Sequence, residues 1–216
     1  MATPTKAPAQ PAPKVERDTR KFTVEEYYRM SEAGVLHNTE RVELINGEII
    51  VMPPIGPLHG SGVDRFNFWS GQNSAGKFIV RTQGAIRISD DSEPEPDIAL
   101  LRFREDFYAT NQPTPTDILL VVEVSDTTLT YDREVKINLY SQAGIPETWI
   151  MNLVEDCIEV FTDPGPEGYA QHAVYRRGDR VTPAALPDVE LAVEDLLPPV
   201  PLSGNSGTQD EGESGS

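Results

Sequence analysis

The chain has 216 residues, with 18 Lys and Arg against 35 Asp and Glu and a net charge of −17. This length predicts one domain of moderate size, and this charge argues against tight, non-specific binding to phosphate backbones. A single cysteine excludes an internal disulfide and fits a reducing cytoplasm, where we expect the protein to act. No apolar run approaches the ~20 residues of a membrane span, and three scattered histidines disfavour a zinc site.

The two ends of the chain differ in composition from the rest. Residues 1–20 are rich in Ala, Pro, Thr and Lys, and residues 203–216 consist mostly of Gly, Ser, Asp and Glu. Neither end has enough apolar surface to offset the entropy lost on ordering. We therefore expect disordered tails over residues 1–20 and 203–216, and one folded domain over residues 21–202.

Local signals in the first half of the chain predict two helices, a hairpin and a strand region. Thr23 followed by Glu26 forms a capping box, and the helix that it begins should stop near Gly34. The dipeptide NG within "RVELINGEIIVM" predicts a β-hairpin. A moderately amphipathic pattern predicts a helix over residues 59–74, and "KFIVRTQGAIRIS" predicts one strand or a bent pair of strands.

The second half of the chain predicts strands on both sides of a helix. "PDIALL" is a short strand, the apolar run of residues 118–124 is a buried strand, and a helix should follow over about residues 130–143. "ETWIMNL", "CIEVFTD" and residues 169–175 predict further strands. Tyr140, within the predicted helix, is most simply a core residue. The buried strand, the helix and "ETWIMNL" form a βαβ crossover with a parallel pair, which indicates a mixed α/β domain.

Glu123 is the residue that most needs a functional explanation. It follows five apolar residues, at the carboxyl end of the strand, where α/β sheets usually bind ligands. A buried carboxylate is costly unless it is paired or binds a cation. Asp97 begins the short apolar strand within "PDIALL", so the two acids would converge on Mg²⁺, or on Mn²⁺ in its place, if their strands are neighbours. An ion pair with an arginine is the alternative for Glu123, and a turn cap is the alternative for Asp97.

Several polar residues near these acids have competing interpretations. Lys136, on the next helix, is placed to orient or polarise an attacking water. Asp132 and Lys136 stand at i and i+4, however, and this spacing alone favours an ordinary helix ion pair worth ~0.3–0.5 kcal/mol. We expect His59 to begin or pack beside a helix rather than to act at a site. We expect Ser125 to cap the turn after its strand rather than to bond Glu123.

These residues resemble the core of the PD-(D/E)XK nuclease superfamily. That pattern has a proline–aspartate at one strand start, a second strand ending in glutamate, and a lysine two residues later, where this chain has Ser125. Over residues 22–197 the chain is similar to the Uma-two family of restriction-endonuclease-like proteins. The segments that carry this similarity are "VELINGEIIVMPP", then His59, "PEPDIAL", "VVEVSDTTLTYDREVKINLYSQAGIPETWIMN" and "LPDVELAVEDLL".

The resemblance implies a fold and further site residues. In that family the usual lysine position is also serine and a lysine on the next helix takes over, which here is Lys136. A metal-site or supporting role is implied for Glu43. The expected fold is a restriction-endonuclease-like core, in which helices flank a mixed central sheet and extra β-hairpins are added.

We therefore expect a Mg²⁺-dependent endonuclease that hydrolyses phosphodiester bonds, most readily in DNA. Asp97 and Glu123 would bind the metal, Lys136 would orient the water, and Glu43 would assist at the metal's second side. A catalytically inactive binding or regulatory module of the same fold is the alternative, motivated by the negative charge and by Ser125. RNA or a small phosphoester is a third substrate class, and an exposed sheet edge could support a homodimer.

Overall fold

The computed structural model describes residues 19–37 and 40–199, so the predicted tails lie outside the described residues except at positions 19 and 20. The helices are α1 (Val24–Glu32), α2 (Pro57–Asn73), α3 (Leu129–Tyr131), a π-helical turn (Asp132–Lys136), α4 (Ile137–Gln142) and α5 (Val193–Leu196), with a 3₁₀ turn at Pro115–Asp117. The strands are β1 (Val42–Ile45), β2 (Glu48–Val51), β3 (Phe78–Thr82), β4 (Ile98–Arg102), β5 (Ile118–Ser125), β6 (Glu147–Asn152), β7 (Cys157–Thr162), β8 (Gln171–Arg176), β9 (Arg180–Val181) and β10 (Leu191–Ala192).

A six-stranded sheet forms the centre of the fold, in the order β3-β4-β5-β6-β7-β8. Strands β5 and β6 pair in parallel and the other neighbours are antiparallel, so the sheet is mixed. The predicted βαβ crossover is confirmed, because α3, the π-helical turn and α4 connect β5 to β6. Two short antiparallel pairs, β1–β2 and β9–β10, lie outside this sheet.

The predicted hairpin turns at the expected dipeptide. Ile45 pairs with Glu48, and Asn46 and Gly47 between them have φ angles of 51° and 74°. Positive φ at both positions is the geometry that favours Asn-Gly in two-residue hairpin turns. A Cβ on Gly47 would lie 2.6 Å from the Cβ of Lys21, so the turn also packs too closely for a side chain.

The boundaries of two predicted elements are refined by the structure. The capping box is confirmed, since Thr23 and Glu26 each accept a hydrogen bond from the other's backbone N–H. Helix α2 begins at Pro57 rather than at residue 59, because the fixed φ of proline suits the first helical turn. Of the predicted strand in "KFIVRTQGAIRIS", only Phe78–Thr82 joins the central sheet.

Each face of the central sheet packs against a different set of elements. Helices α2 and α5 cover one face, where Val122 and Val124 of β5 are buried. Helix α4 and the β1–β2 hairpin cover the other face, where Val121 is buried beside Tyr140. The side chain of Glu123 shares the face of Val121 because side chains alternate along a strand. No helix in the part of the chain that the structure describes is long and apolar enough to cross a membrane.

Candidate active site

The two predicted acids meet beside the central sheet, where the carboxyl end of β5 lies next to the start of β4. Strands β4 and β5 are antiparallel neighbours, and their register pairs Ile98 with Val122. Asp97, one residue before β4, therefore stands opposite Glu123, and opposite residues of an antiparallel pair point to the same face. The Asp97 carboxylate also accepts the backbone N–H of Val124 at 2.9 Å. Both acids line one cavity with a volume of about 130 Å³.

A buried lysine connects Glu123 to the β1–β2 hairpin. The Nζ atom of Lys136 lies 3.2 Å from Oε1 of Glu43 and 3.3 Å from Oε1 of Glu123. Lys136 is only 1% exposed, and all three side chains line the cavity. The structure thus brings the lysine on the helical crossover together with a carboxylate from β5 and a carboxylate from β1.

The π-helical turn directs two neighbouring charged residues to different partners. Asp132, at its start, accepts hydrogen bonds from Ser125 Oγ and Thr128 Oγ1, each at 2.7 Å. Lys136, at its end, pairs with the two glutamates instead. The interpretation of Asp132 and Lys136 as an ordinary helix ion pair is therefore wrong. The capping role expected for Ser125 is also wrong, because its hydroxyl holds Asp132.

His59 extends from the first turn of α2 to the site. Its Nε2 atom lies 2.8 Å from Oδ1 of Asp97. One turn later, a Cβ on Gly62 would lie 3.0 Å from Cγ1 of Val124, so glycine lets α2 approach the end of β5 closely. The expectation that His59 only begins or packs beside a helix is corrected: it contacts a predicted metal ligand.

The cavity contains more buried acids than bases. Its acidic lining residues include Glu43, Glu95, Asp97, Glu123 and Asp132. Burial raises the pKa of Glu123 to about 8, and the charges of neighbouring acids add to this effect although Lys136 opposes it. Burial likewise raises the pKa values of Glu43 and Asp132, again against the attraction of Lys136. The single positive charge of Lys136 therefore does not balance the negative charges of the carboxylates around it.

Lys136 itself stays protonated. Burial alone would lower the pKa of its ammonium group, but the charges of Glu123 and Glu43 outweigh burial and raise the pKa above its ordinary value. The pKa of Asp97 is lowered. Burial alone would raise it, but the contact with His59 and the hydrogen bond from the N–H of Val124 outweigh burial. Lys136 can therefore donate hydrogen bonds and stabilise negative charge, but it cannot accept a proton.

The chemistry of these side chains suits a hard divalent cation such as Mg²⁺ or Mn²⁺, for which carboxylate oxygens are the preferred ligands. Oε2 of Glu43 is buried and has no hydrogen-bond partner among the described residues. Within residues 19–37 and 40–199, however, no three His, Cys, Asp or Glu side chains are arranged to hold a metal ion. The acids thus fit a divalent cation in the chemistry of their oxygens rather than as an assembled set of ligands.

Comparisons with known proteins agree with the fold and with the resemblance. The model of the Uma2 family, described as "Putative restriction endonuclease", matches residues 24–194. The chain belongs to the Uma2 family. The structure is also similar to a crystal structure from Anabaena variabilis ATCC 29413, described as "a putative nuclease belonging to DUF820". The two share 16% identity and a TM-score of 0.61, over 81% of this chain and 97% of that one. The comparison with curated proteins found no match.

Together these findings confirm the predicted fold class and the predicted family. At 16% identity the likeness to the solved structure is one of fold, here a mixed six-stranded sheet with flanking helices and extra hairpins. In this Uma2 member the position of the usual superfamily lysine is Ser125, which is buried and bonded to Asp132. The charge next to the β5 glutamate comes from Lys136 instead.

Sequence reasoning missed two residues that contact this group. Glu95 lines the cavity and lies two residues before Asp97. Its place in "PEPD" was the available signal, since residues two apart in an extended segment share a face. Tyr140 was interpreted as core. Its ring is indeed buried, but its hydroxyl donates to Oε1 of Glu123 at 2.6 Å.

Proposed function

We propose that this protein is a divalent-metal-dependent endonuclease that hydrolyses phosphodiester bonds in DNA, with Mg²⁺ as its metal and Mn²⁺ as a substitute. The Uma2 family and the nuclease-like fold support the coarser assignment, a nuclease acting on nucleic acid. The observation that carries the proposal is the buried ammonium of Lys136, 3.3 Å from the carboxylate of Glu123 at the end of β5. A protonated lysine beside a metal-binding carboxylate can stabilise the negative charge that develops during phosphoryl transfer.

Each residue of the site has a role in this proposal. Asp97 and Glu123 would bind the metal, which supplies Lewis-acid activation of the phosphoryl group and the attacking water when it is bound. Lys136 orients the water and stabilises charge that develops on the phosphoryl oxygens. Glu43 holds Lys136 through Oε1, and its Oε2, which has no hydrogen-bond partner among the described residues, would assist on the metal's second side.

The substrate and the setting are parts of the same proposal. A net charge of −17 gives little general attraction for a polyanion, so affinity for DNA should depend on the bound cation more than on surface lysines. Action in the cytoplasm, one nuclease-like domain over residues 21–202, and a homodimer formed through an exposed sheet edge remain predictions.

A plasmid-nicking assay with Mg²⁺, with Mn²⁺ and with EDTA tests the proposed reaction. Glu123→Gln should lower the cleavage rate at least about 100-fold. Glutamine lacks the negative charge with which Glu123 would bind the metal, and the metal would activate the phosphoryl group. Glu147→Gln is the matched control. Glu147 is also a buried strand glutamate, but its carboxylate bonds the indole of Trp149 and the N–H of Ala184.

The same assay can refute the mechanism and separate the substrates. Cleavage that is unchanged in Asp97→Ala and Glu123→Ala would rule out the assigned metal ligands. Double-stranded DNA, single-stranded RNA and a small phosphodiester should be compared under identical conditions. A preference for RNA or for the small ester would keep the metal chemistry and remove the assignment to DNA.

A non-catalytic binding module of the same fold is the second candidate function. It is favoured by Ser125, whose hydroxyl is committed to Asp132 at the position where the usual superfamily pattern has lysine. Such a module should bind a partner but give no metal-dependent heat in calorimetry and no nicking with either metal. Metal-dependent nicking that Glu123→Gln abolishes would exclude it.

A further inference from the structure

We propose that Tyr140 is a positioning residue for Glu123. Together with Lys136 it holds one oxygen of the Glu123 carboxylate and so directs the other oxygen to the metal. This inference rests on the proposed function, because it concerns the same candidate metal ligand. It assigns a task to a tyrosine that the sequence places in the apolar core.

The contact geometry carries the proposal. The hydroxyl of Tyr140 donates to Oε1 of Glu123 at 2.6 Å, and Nζ of Lys136 lies 3.3 Å from the same oxygen. Lys136 ends the π-helical turn and Tyr140 lies one turn later in α4, so one helical segment supplies both donors. Among the described residues, the hydrogen bonds and ion pairs of Glu123 all go to Oε1.

The hydroxyl of Tyr140 does something that its ring does not. The ring is fully buried with Val121, Leu139 and Ile145, a role that phenylalanine would fill equally well. A hydroxyl buried next to a carboxyl group, at an O···O distance of 2.6 Å, forms a short hydrogen bond with a defined direction. This bond fixes the plane of the carboxylate, and Oε2 is then oriented before a cation arrives.

Fixing one oxygen should strengthen metal binding at the other. Groups that orient metal ligands from behind typically change metal affinity by about 10–100-fold when they are removed. Tyr140→Phe removes the hydroxyl and keeps the ring, so we expect about a 10-fold weaker affinity for Mn²⁺. A residue that serves only the core would leave this affinity unchanged.

Two measurements on the full chain test the proposal, with Tyr169→Phe as the matched control. The hydroxyl of Tyr169 is also partly buried, but its partners are the backbone carbonyl of Ile145 and Oγ1 of Thr148, each at 2.8 Å, rather than Glu123. The first measurement is Mn²⁺ calorimetry on the wild type and both variants. The second is a metal-free crystal structure of the wild type and of Tyr140→Phe.

We expect a rotated or disordered Glu123 carboxylate in Tyr140→Phe, with the weaker Mn²⁺ affinity in this variant alone. An unmoved carboxylate together with wild-type affinity would overturn the proposal. So would a wild-type crystal structure in which the Tyr140 hydroxyl is beyond hydrogen-bond distance, a result that does not depend on the variant's folding. If the wild type binds no Mn²⁺, the proposed function fails, and the metal-free structures still decide whether Tyr140 positions Glu123.

Discussion

Replacing Glu123 by glutamine should flatten the pH dependence of stability in the metal-free protein. Burial raises the pKa of this carboxyl to about 8, against an ordinary value of 4.5 in the unfolded chain. At a pH between these two values, the carboxyl group of Glu123 keeps its proton in the native state and has released it in the unfolded state. Stability from this proton is fully present below pH 4.5 and is lost as the pH rises towards 8.

The size of this effect follows from the same two pKa values. The interval from 4.5 to about 8, at about 1.4 kcal/mol per pH unit, corresponds to roughly 5 kcal/mol of unfolding free energy. In Glu123→Gln the amide can still accept the hydroxyl of Tyr140, but it has no proton to lose, so this contribution disappears.

Urea unfolding in EDTA at pH 5, 6, 7 and 8 measures the difference. The wild type should lose stability with rising pH relative to Glu123→Gln, whereas the exposed-residue control Glu134→Gln should follow the wild type. Parallel profiles for the wild type and Glu123→Gln would show instead that Glu123 is ionised to the same extent in the folded and unfolded states.

Three further predictions concern the residues around the site and the first helix. Lys136→Met leaves two buried glutamates without their cation and should cost about 3–5 kcal/mol of unfolding free energy at pH 7; an unchanged urea midpoint would contradict this. Ser125→Ala removes a hydrogen bond to the buried carboxyl group of Asp132 and should cost about 1–3 kcal/mol in the same assay, whereas a loss under 0.5 kcal/mol would show that the bond is unimportant. Thr23→Ala removes the cap of α1 and should cost about 1 kcal/mol without changing Mn²⁺ affinity; a change in affinity would link α1 to the site.

Local sequence signals predicted the elements that carry the site. The Asn46-Gly47 turn and the capping box at Thr23 depend on residues that are adjacent or three apart, so they can be read without the tertiary structure. The apolar run ending at Glu123 also gave the face on which this side chain lies, because strand alternation is a local rule. These features place Glu123 at a sheet end and Glu43 in a hairpin.

The partners of the charged residues could not be predicted in this way. The i,i+4 spacing of Asp132 and Lys136 favoured a local pair, yet Lys136 pairs with Glu43, which is 93 residues away along the chain. The π-helical turn that begins at Asp132 and ends at Lys136 has no sequence signature of its own. His59 reaches Asp97 only because α2 packs closely against the end of β5, which is a property of the assembled fold.

In the proposed mechanism Asp97 and Glu123 share one divalent cation beside Lys136. An anomalous difference map from a crystal grown with Mn²⁺ would locate this cation. We expect one peak about 2.0–2.6 Å from oxygens of both carboxylates. If the map has no peak between the two acids, or if the ion is bound to only one of them, Asp97 and Glu123 do not share a cation.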